Sequence, residues 1–171
     1  IQEDTTLYAV YKEKGKRTFI ADFYSGNPLR IKSESDIRDE DATEGTVTVP
    51  SPETITGWTS LGWSKSKEAY TVDSDIQPGR TLTLTADKTE YYGIYEKKIT
   101  LTYNANGGDS TPPTETGKRY ANVHDTIGYQ DPEFAIASAI RWGEDTFVGW
   151  NTKADGTGTS YEPGSTRKLE E

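Results

Sequence analysis

The sequence predicts an α+β fold, mostly β, built from two similar units in tandem. The first observation is the pattern of short runs in which apolar and polar residues alternate, as in TLTLT at residues 81–85, between turns rich in Gly, Pro and Asn. The second is a Gly-Trp pair that ends an apolar run at Trp63 and again at Trp150, each followed downstream by Pro-Gly. Self-similarity at a spacing of 80 to 87 residues indicates repeats rather than one large domain.

The composition excludes several classes of function. Hydrophobic residues make up 32 % of the 171-residue chain, which predicts small cores filled largely by aromatic side chains. The net charge of −9 argues against nucleic acid and anionic membrane surfaces as partners. The chain has no Cys and therefore no disulfide or thiolate chemistry, and no apolar run is long enough for membrane insertion. Because the first residue is Ile rather than Met, we expect a piece of a longer protein.

Matched strand patterns lie at the boundaries of the two units. Residues 7–11 (LYAVY) predict a strand that returns 84 residues later at residues 91–95 (YYGIY). The next predicted strand covers residues 19–24 and returns at residues 99–103, where Phe23 and Tyr103 stand 80 residues apart. In the preferred phase, the first pair of strands closes a unit and the second pair opens the next one.

A second strand and a helix start are predicted further along each unit. The strands are at residues 46–49 and 126–129, again 80 residues apart. Directly after them, SPE at residues 51–53 and DPE at residues 131–133 combine a capping side chain, Pro at the first helical position and an acid at the positive end of the helix dipole. The sequence therefore predicts a short helix in each unit.

The second unit has the stronger helix pattern. Phe134, Ala137 and Ile140 would share one face of a helix over residues 134–141. At Gly-Trp the spacing between the copies grows to 87 residues. We therefore expect a seven-residue insertion in this helix or just after it.

The matched patterns divide the chain into three parts. Residues 1–16 are predicted to be the closing strand of an upstream repeat plus a linker, residues 17–98 the first repeat, and residues 99–171 a second repeat that lacks its closing strand. A second phase, in which two permuted units are each complete, stays open. In the preferred phase the second repeat has an unpaired sheet edge, which residues 7–11 of a neighbouring copy could fill by strand exchange.

Several motifs of the second unit resemble one known family. They are LTYNANGG at residues 101–108, FVGWNT at 147–152, DGTG at 155–158, Tyr161, and PG at 163–164. Together they resemble the Listeria–Bacteroides repeat, the B-repeat of internalin-type bacterial surface proteins.

The resemblance covers residues 99–171 well and residues 17–98 loosely, because the first unit has FYSG and SKSK in place of the glycine-rich turns. It implies ubiquitin-like β-grasp repeats, each a small mixed sheet around one helix, in tandem arrays of exported, cell-wall-associated proteins. Members of this family act as spacers or in adhesion. The resemblance implies neither catalytic residues nor a cofactor.

Catalytic and metal chemistry has little support in the residues. His124 is the single His and has no Cys or second His to form a triad or a metal site. Residues 151–156 and Glu162 have the spacing of a calcium loop, but Lys153 places a cation where a ligand oxygen is needed, so we predict a hairpin turn. The acidic stretch at residues 34–44 is interpreted as a solvated, mobile loop. We predict no catalytic, cofactor-binding or metal site, and no enzymatic activity.

The aromatic residues divide into core and surface candidates. Trp63 and Trp150, with Phe23 and Tyr103, are predicted to form the structural core of the two repeats. Two further Trp residues fall outside the repeated pattern and are expected to be exposed, where they could stack on sugar rings. These ligand-binding candidates are Trp58 and Trp142.

The leading interpretation is a non-catalytic extracellular module of a bacterial surface protein that acts as a spacer or stalk and takes part in adhesion. Its expected partners are adjacent repeats and a host or cell-surface protein or glycan. The alternative is a carbohydrate-binding module of a secreted or surface enzyme. A coplanar row of exposed rings would favour the alternative, and buried Trp63 and Trp150 would favour the spacer.

Overall fold

The computed structural model describes residues 9–169, and within this range the chain forms twelve strands and no helix. The predicted α+β class is therefore wrong, and the described fold is all-β. The strands are β1 (Lys16–Ser25), β2 (Arg30–Asp39), β3 (Gly45–Thr48), β4 (Thr59–Ser64), β5 (Thr81–Leu84), β6 (Lys88–Leu101), β7 (Glu115–Val123), β8 (Ile127–Gln130), β9 (Glu133–Ala135), β10 (Trp150–Asn151), β11 (Ser160–Tyr161) and β12 (Thr166–Lys168).

The main sheet is organised around β6, which is 14 residues long. Its first part, residues 88–92, runs parallel to β1, and its second part, residues 93–101, runs antiparallel to β7. Strand β4 pairs antiparallel with the opposite edge of β6. Strands β2 and β8 extend the sheet beyond β1 and β7, in the order β2-β1-β6-β7-β8. Strand β6 thus runs across the predicted boundary between the two repeats at residue 98.

The core of the first repeat lies between this sheet and the small β3–β5 ladder. Phe23 stacks on Tyr91 at a centroid distance of 5.0 Å and meets the edge of Trp63 at 4.9 Å. The Trp63 indole N–H donates to the Pro50 carbonyl at 2.7 Å, so its one polar group is satisfied inside the core. Val47 and Leu84 close the cluster from the small ladder.

The helix predicted at residues 134–141 is replaced by β9 and an irregular segment. Phe134 and Ile136 are buried while Ala135 between them is exposed, which is the period of a strand. The Ile136 N–H donates to the Ser165 carbonyl, and the Ile136 carbonyl accepts from the Gly164 N–H. These bonds continue the β9–β12 pairing. This tertiary pairing outweighs the local capping pattern. The first copy behaves alike, since residues 51–58 contain no helix.

The predicted position of the seven-residue insertion depended on the predicted helix and is wrong as well. The Trp150 indole donates to the Ala137 carbonyl at 2.8 Å, as Trp63 does to Pro50, so the copies already stand 87 residues apart at this point rather than 80. Strand β8 has no counterpart among the described residues of the first repeat. The extra residues therefore lie before β9, in the β7–β8 hairpin, and the predicted position in or after a helix is wrong.

The acidic stretch is a strand rather than a mobile loop. Most of it lies in β2, which pairs with β1 along its whole length and forms an edge of the sheet. Its carboxylates form exposed ion pairs, including Asp36 with Arg38 at 2.7 Å and Asp39 with Lys16 at 2.7 Å. Charged side chains on an edge strand hinder pairing with other molecules. In the sequence, charged residues at 32, 34, 36 and 38 alternate with residues that include Ile31 and Ile37, and this period of two is typical of a strand.

The strand predicted at residues 7–11 falls partly outside the described residues. Residues 9–11 belong to no strand, and Val10 and Tyr11 are 93 % and 90 % exposed. Among the other predicted strands, those at residues 19–24 and 91–95 are confirmed over their whole length. The predicted strands at residues 46–49, 81–85, 99–103 and 126–129 are confirmed over residues 46–48, 81–84, 99–101 and 127–129.

Candidate functional site

The first candidate site is a small apolar cluster between the repeats, called the junction below. Tyr95 of β6 and Ala121 and Val123 of β7 are buried together. Partly buried side chains from both repeats pack against them, namely Ile55, Trp58 and Ile127. Because the cluster takes side chains from both repeats, it resists bending between them.

Asn122 connects the second repeat to a loop of the first. Its side chain is fully buried, and its amide donates to the carbonyls of Ser66 at 3.0 Å and Ala69 at 2.5 Å. A buried amide that serves two carbonyls of another element constrains their relative position. Within the first repeat, the Tyr95 hydroxyl donates to the Glu53 carbonyl at 2.7 Å, which fixes the Tyr95 ring in the junction.

Trp58, expected to be exposed, is half-buried at this junction. Its ring stacks on Tyr129 with centroids 5.8 Å apart, and the Lys97 ammonium lies 5.9 Å from the ring centroid. The Arg119 guanidinium also lies over the Tyr129 ring, 4.7 Å from its centroid, and the Arg119 Nε is 2.6 Å from Asp131. The Trp58 ring is therefore in contact with neighbouring side chains, which leaves less of its surface open to a sugar.

The second candidate site is a cavity of about 800 Å³ in the second repeat, called the open slot below. Residues 101–105 line one side and residues 147–151 the other. The aromatic core of this repeat forms its floor: Tyr103 and Trp150 lie 4.8 Å apart, and Phe147 meets Trp150 at 5.2 Å. The cavity is thus flanked by backbone edges and floored by aromatic rings.

The predicted core residues are not equally covered. Phe23, Trp63 and Tyr103 are buried, and Trp63 is 1 % exposed. Trp150 is only half-buried, because it faces the open slot. Sequence reasoning treated the two Gly-Trp copies as equivalent and missed this difference.

Trp142 is 60 % exposed at the rim of the open slot. The Trp142 carbonyl accepts a hydrogen bond from the Asp145 N–H at 3.0 Å, which closes a tight turn. Trp142 borders the open slot, whereas Trp58 packs in the junction. The structure therefore places the two ligand-binding candidates apart.

A polar cluster lies on the first repeat beside β6. The hydroxyls of Tyr92 and Tyr24 donate to the two carboxylate oxygens of Glu90 at 3.0 and 3.1 Å. Burial, with the Glu90 hydrogen bond, raises the pKa of Tyr92 to about 12. The hydrogen bond from Tyr92 in turn lowers the pKa of Glu90. The hydrogen bonds of the cluster hold the Glu90 carboxylate and the two Tyr hydroxyls against one another.

His124 lies in the turn between β7 and β8. Its Nδ1 is 2.9 Å from Asp125, and its ring meets the edge of Tyr92 at a centroid distance of 6.5 Å. These contacts give His124 a structural role within the β7–β8 turn.

The stretch with calcium-loop spacing forms the β10–β11 hairpin turn. The Asn151 side-chain oxygen accepts from the backbone of Lys153 at 2.9 Å and of Gly158 at 3.0 Å, and Asp155 accepts from Thr157. Gly156 has a φ of 78°, which favours Gly. Within residues 9–169 no group of three or more His, Cys, Asp or Glu is placed to hold a metal ion.

Comparisons with known proteins add one similar sequence. The chain is 27 % identical over 175 residues to a protein of Evansella cellulosilytica named "Putative membrane protein", an alignment that covers 99 % of this chain and 23 % of that protein. The chain thus spans about a quarter of the relative's length. No family model matches the chain, and no solved structure matches it. No helix in residues 9–169 could cross a bilayer.

Proposed function

We propose that the chain is a non-catalytic extracellular repeat module of a bacterial surface protein, which acts as a stiff spacer and presents other parts of that protein for adhesion. The single observation that carries the proposal is β6, which runs unbroken from one repeat into the next. A spacer needs such a connection, because a flexible linker would let its two ends approach each other freely.

The connector itself is part of the sheet. Lys97 and Lys98 pair with Arg119 and Lys118 of β7, while Glu96 also pairs with Thr59 of β4. Although these three residues are all charged, their backbones belong to the ladder between β6 and β7. The junction and the Asn122 bonds then brace the connection from the side.

The surface location is supported by features of the sequence. The absence of Cys, the net charge of −9 and the resemblance to surface-protein repeats all fit a module outside a bacterial cell. The name of the Evansella relative fits a protein held at a membrane by some other segment. Catalysis has no support, since the polar clusters described above are engaged in structural hydrogen bonds.

The spacer role can be tested on a cell surface. The chain would be placed between a cell-wall anchor and a fluorescent acceptor domain, beside a control in which a Gly/Ser linker of equal residue number replaces it. We expect the chain to hold the acceptor at a narrow distribution of heights, measured by interference microscopy, and the linker to give a broad one. Equal distributions would contradict the proposal.

Trp142 keeps carbohydrate binding as a second candidate function. Its exposed ring borders the open slot beside Asn106 and Asp145, which offer polar groups to a sugar. A glycan array with the chain and with Trp142→Ala tests this alternative. Binding that is lost in the variant would favour it, and a blank array with a folded protein would remove it.

A further inference from the structure

Strand β2 offers a long open edge to a partner. It pairs with β1 over all 10 of its residues, and among residues 9–169 no second strand hydrogen-bonds to its other side. A strand at the edge of a sheet presents a row of N–H and C=O groups that another strand can use. Strands in globular proteins are usually about 5–6 residues long, so this edge is long enough to pair with a partner over many residues.

The side chains of β2 divide into a charged and an apolar face. Lys32, Glu34 and Asp36 stand opposite buried residues of β1, so they share the face of the sheet that carries the core. Ile31 and Ile37 lie on the opposite face, where they are 53 % and 64 % exposed. A partner strand would therefore meet charges on one face and uncovered apolar side chains on the other.

We propose that β2 pairs with β2 of a second copy of this chain, antiparallel, about a two-fold axis that passes beside Ser33 and is perpendicular to the sheet. Ser33 then stands opposite its own copy. Arg30 stands opposite Asp36 and Lys32 opposite Glu34, and symmetry repeats each pair. Opposite charges in directly opposed positions stabilise a pair of strands. The inference goes beyond the spacer role and does not depend on it.

The charges of β2 select this register over its neighbours. An axis beside Lys32 or Glu34 would place that residue against its own copy. An axis beside Ser35 would place Lys32 opposite Arg38. Like charges directly opposite each other destabilise a sheet, and the register centred on Ser33 has none. Charges on an edge strand hinder pairing with most other strands, but they favour a partner whose charges complement them.

The carboxylates that would meet the second copy are already held in position. Asp36 accepts from the Thr46 N–H at 2.7 Å, and Glu34 lies 3.1 Å from Lys32 of its own strand. A carboxylate offers about four acceptor positions, so each of these acids can accept a further bond from a cation of the second copy. The ion pairs across the axis thus add to those within each chain.

The same register brings apolar side chains together on the other face. Leu29, directly before β2, comes opposite Ile37 of the second copy, and Ile31 becomes a diagonal neighbour of that Ile37. All three side chains are exposed in the single chain. Diagonal neighbours in a sheet remain within reach of long side chains. Covering these side chains would favour association at both ends of the contact.

Two-fold symmetry predicts a closed dimer. The contact joins the same surface on both copies, so both edges are used once the pair has formed. Because the contact is one strand wide and many of its charges remain near water, we expect dimerisation to be concentration-dependent and to weaken as salt is added.

The first test exchanges charges on β2 and follows association by sedimentation velocity over a concentration series. The unchanged chain should approach a dimer and form no larger species. Lys32→Glu and Glu34→Lys each oppose like charges at two places, so each should weaken dimerisation about tenfold. An equal mixture of these two variants should dimerise again, because every opposed pair then has opposite charges. Circular dichroism checks that each variant is folded.

Lys98→Glu is the matched control, because it makes the same charge change on an exposed residue of β6. It should dimerise as the unchanged chain does. An unchanged chain that stays monomeric up to its solubility limit would overturn the proposal. So would equal weakening by Lys98→Glu, or a mixture of the two β2 variants that stays monomeric.

The second test measures the register, and the Cys-free sequence makes it unambiguous. In Ser33→Cys the two thiols meet at the axis, where the Cα separation of about 4.5–5.5 Å in an antiparallel pair permits a disulfide. In Ser35→Cys the two thiols lie about 13 Å apart along the strands. Mild oxidation should therefore cross-link Ser33→Cys into a dimer much faster than Ser35→Cys. Equal yields, including none in either variant, or faster cross-linking of Ser35→Cys would overturn the proposal.

Discussion

At the residue scale, one dipeptide explains much of each repeat. In both copies of Gly-Trp the Gly has a positive φ, 133° at Gly62 and 146° at Gly149, a conformation that other residues rarely adopt. This backbone turns the next side chain into the core, where the indole donates to a carbonyl thirteen residues upstream. The motif is thus a device for burying a Trp with its N–H satisfied.

The two Trp residues should nevertheless differ in their contribution to stability. Trp63→Ala removes a fully buried side chain and should lower the free energy of unfolding by ~3–5 kcal/mol. Trp150→Ala removes a half-buried one and should cost only ~1–3 kcal/mol. Urea unfolding followed by circular dichroism measures both. Equal costs would contradict the half-open core of the second repeat.

The Tyr92–Glu90 pair should make stability depend on pH at the alkaline end. The pKa of Tyr92 is raised from 10.0 to about 12 in the folded chain, so its contribution is complete below pH 10 and is lost as the pH rises towards 12. Tyr92→Phe should flatten this part of the stability profile. Tyr129→Phe, at an exposed ring outside this cluster, is the control and should leave the alkaline slope as it is. An unchanged alkaline slope in Tyr92→Phe would remove Tyr92 as the cause.

At acid pH the Tyr92–Glu90 pair should make the folded chain less stable as the pH falls. The hydrogen bond from Tyr92 holds the pKa of Glu90 below its ordinary value of 4.5, so this stabilisation is present above that pH and is lost as the pH falls through the lowered value. In Tyr92→Phe the pKa of Glu90 should rise, as measured by the carboxyl carbon shift in an NMR titration. A carboxyl that titrates identically in both proteins would contradict the hydrogen bond.

At the element scale, the strands with clear alternation were predictable and the helix was not. TLTL at Thr81–Leu84 buries Leu82 and Leu84 and exposes both Thr, as its pattern indicates. The segment after DPE has both a helical face and the alternation of Phe134 and Ile136, and sequence alone cannot rank them. The pairing with β12, which is distant in the chain, decides in favour of the strand.

Two substitutions distinguish a strand from a helix at this place. Ile136 is buried only in the strand, so Ile136→Ala should lower the free energy of unfolding by ~2–4 kcal/mol. Ala139→Gly should change it by less than ~0.5 kcal/mol, whereas in a helix the same change would cost about 1 kcal/mol. Thermal or urea unfolding reports both values. A larger loss of unfolding free energy in Ala139→Gly than in Ile136→Ala would favour the predicted helix over the strand.

The candidate sites were only partly visible in the sequence. The unpaired edge in the second repeat stays a prediction, and no sequence pattern indicated the cavity that residues 101–105 and 147–151 line. The junction was not foreseen, because Tyr95, Ala121 and Ile55 come from segments far apart in the sequence. Asn122 gave no signal, since a single Asn in a strand pattern resembles a solvent-facing residue.

At the scale of the whole molecule, the shared strand makes the two repeats one mechanical unit. Asn122→Ala tests the bracing of that unit, because it leaves two carbonyls of the first repeat without their donor and should cost ~1–3 kcal/mol. The loss should fall on the junction, seen as faster amide exchange in residues 66–69 and unchanged exchange in β3 and β5. Asn104→Ala, on a turn of the second repeat, is the matched control and should leave residues 66–69 protected.

The central claim is that the repeats tumble and align as a single body. Residual dipolar couplings of backbone amides, measured in a weakly aligned sample of the chain, test it most directly. The account predicts that one alignment tensor fits β1–β5 together with β9–β12. Two tensors of clearly different magnitude would mean that β6 bends between the repeats, and would contradict both the stiff junction and the spacer role.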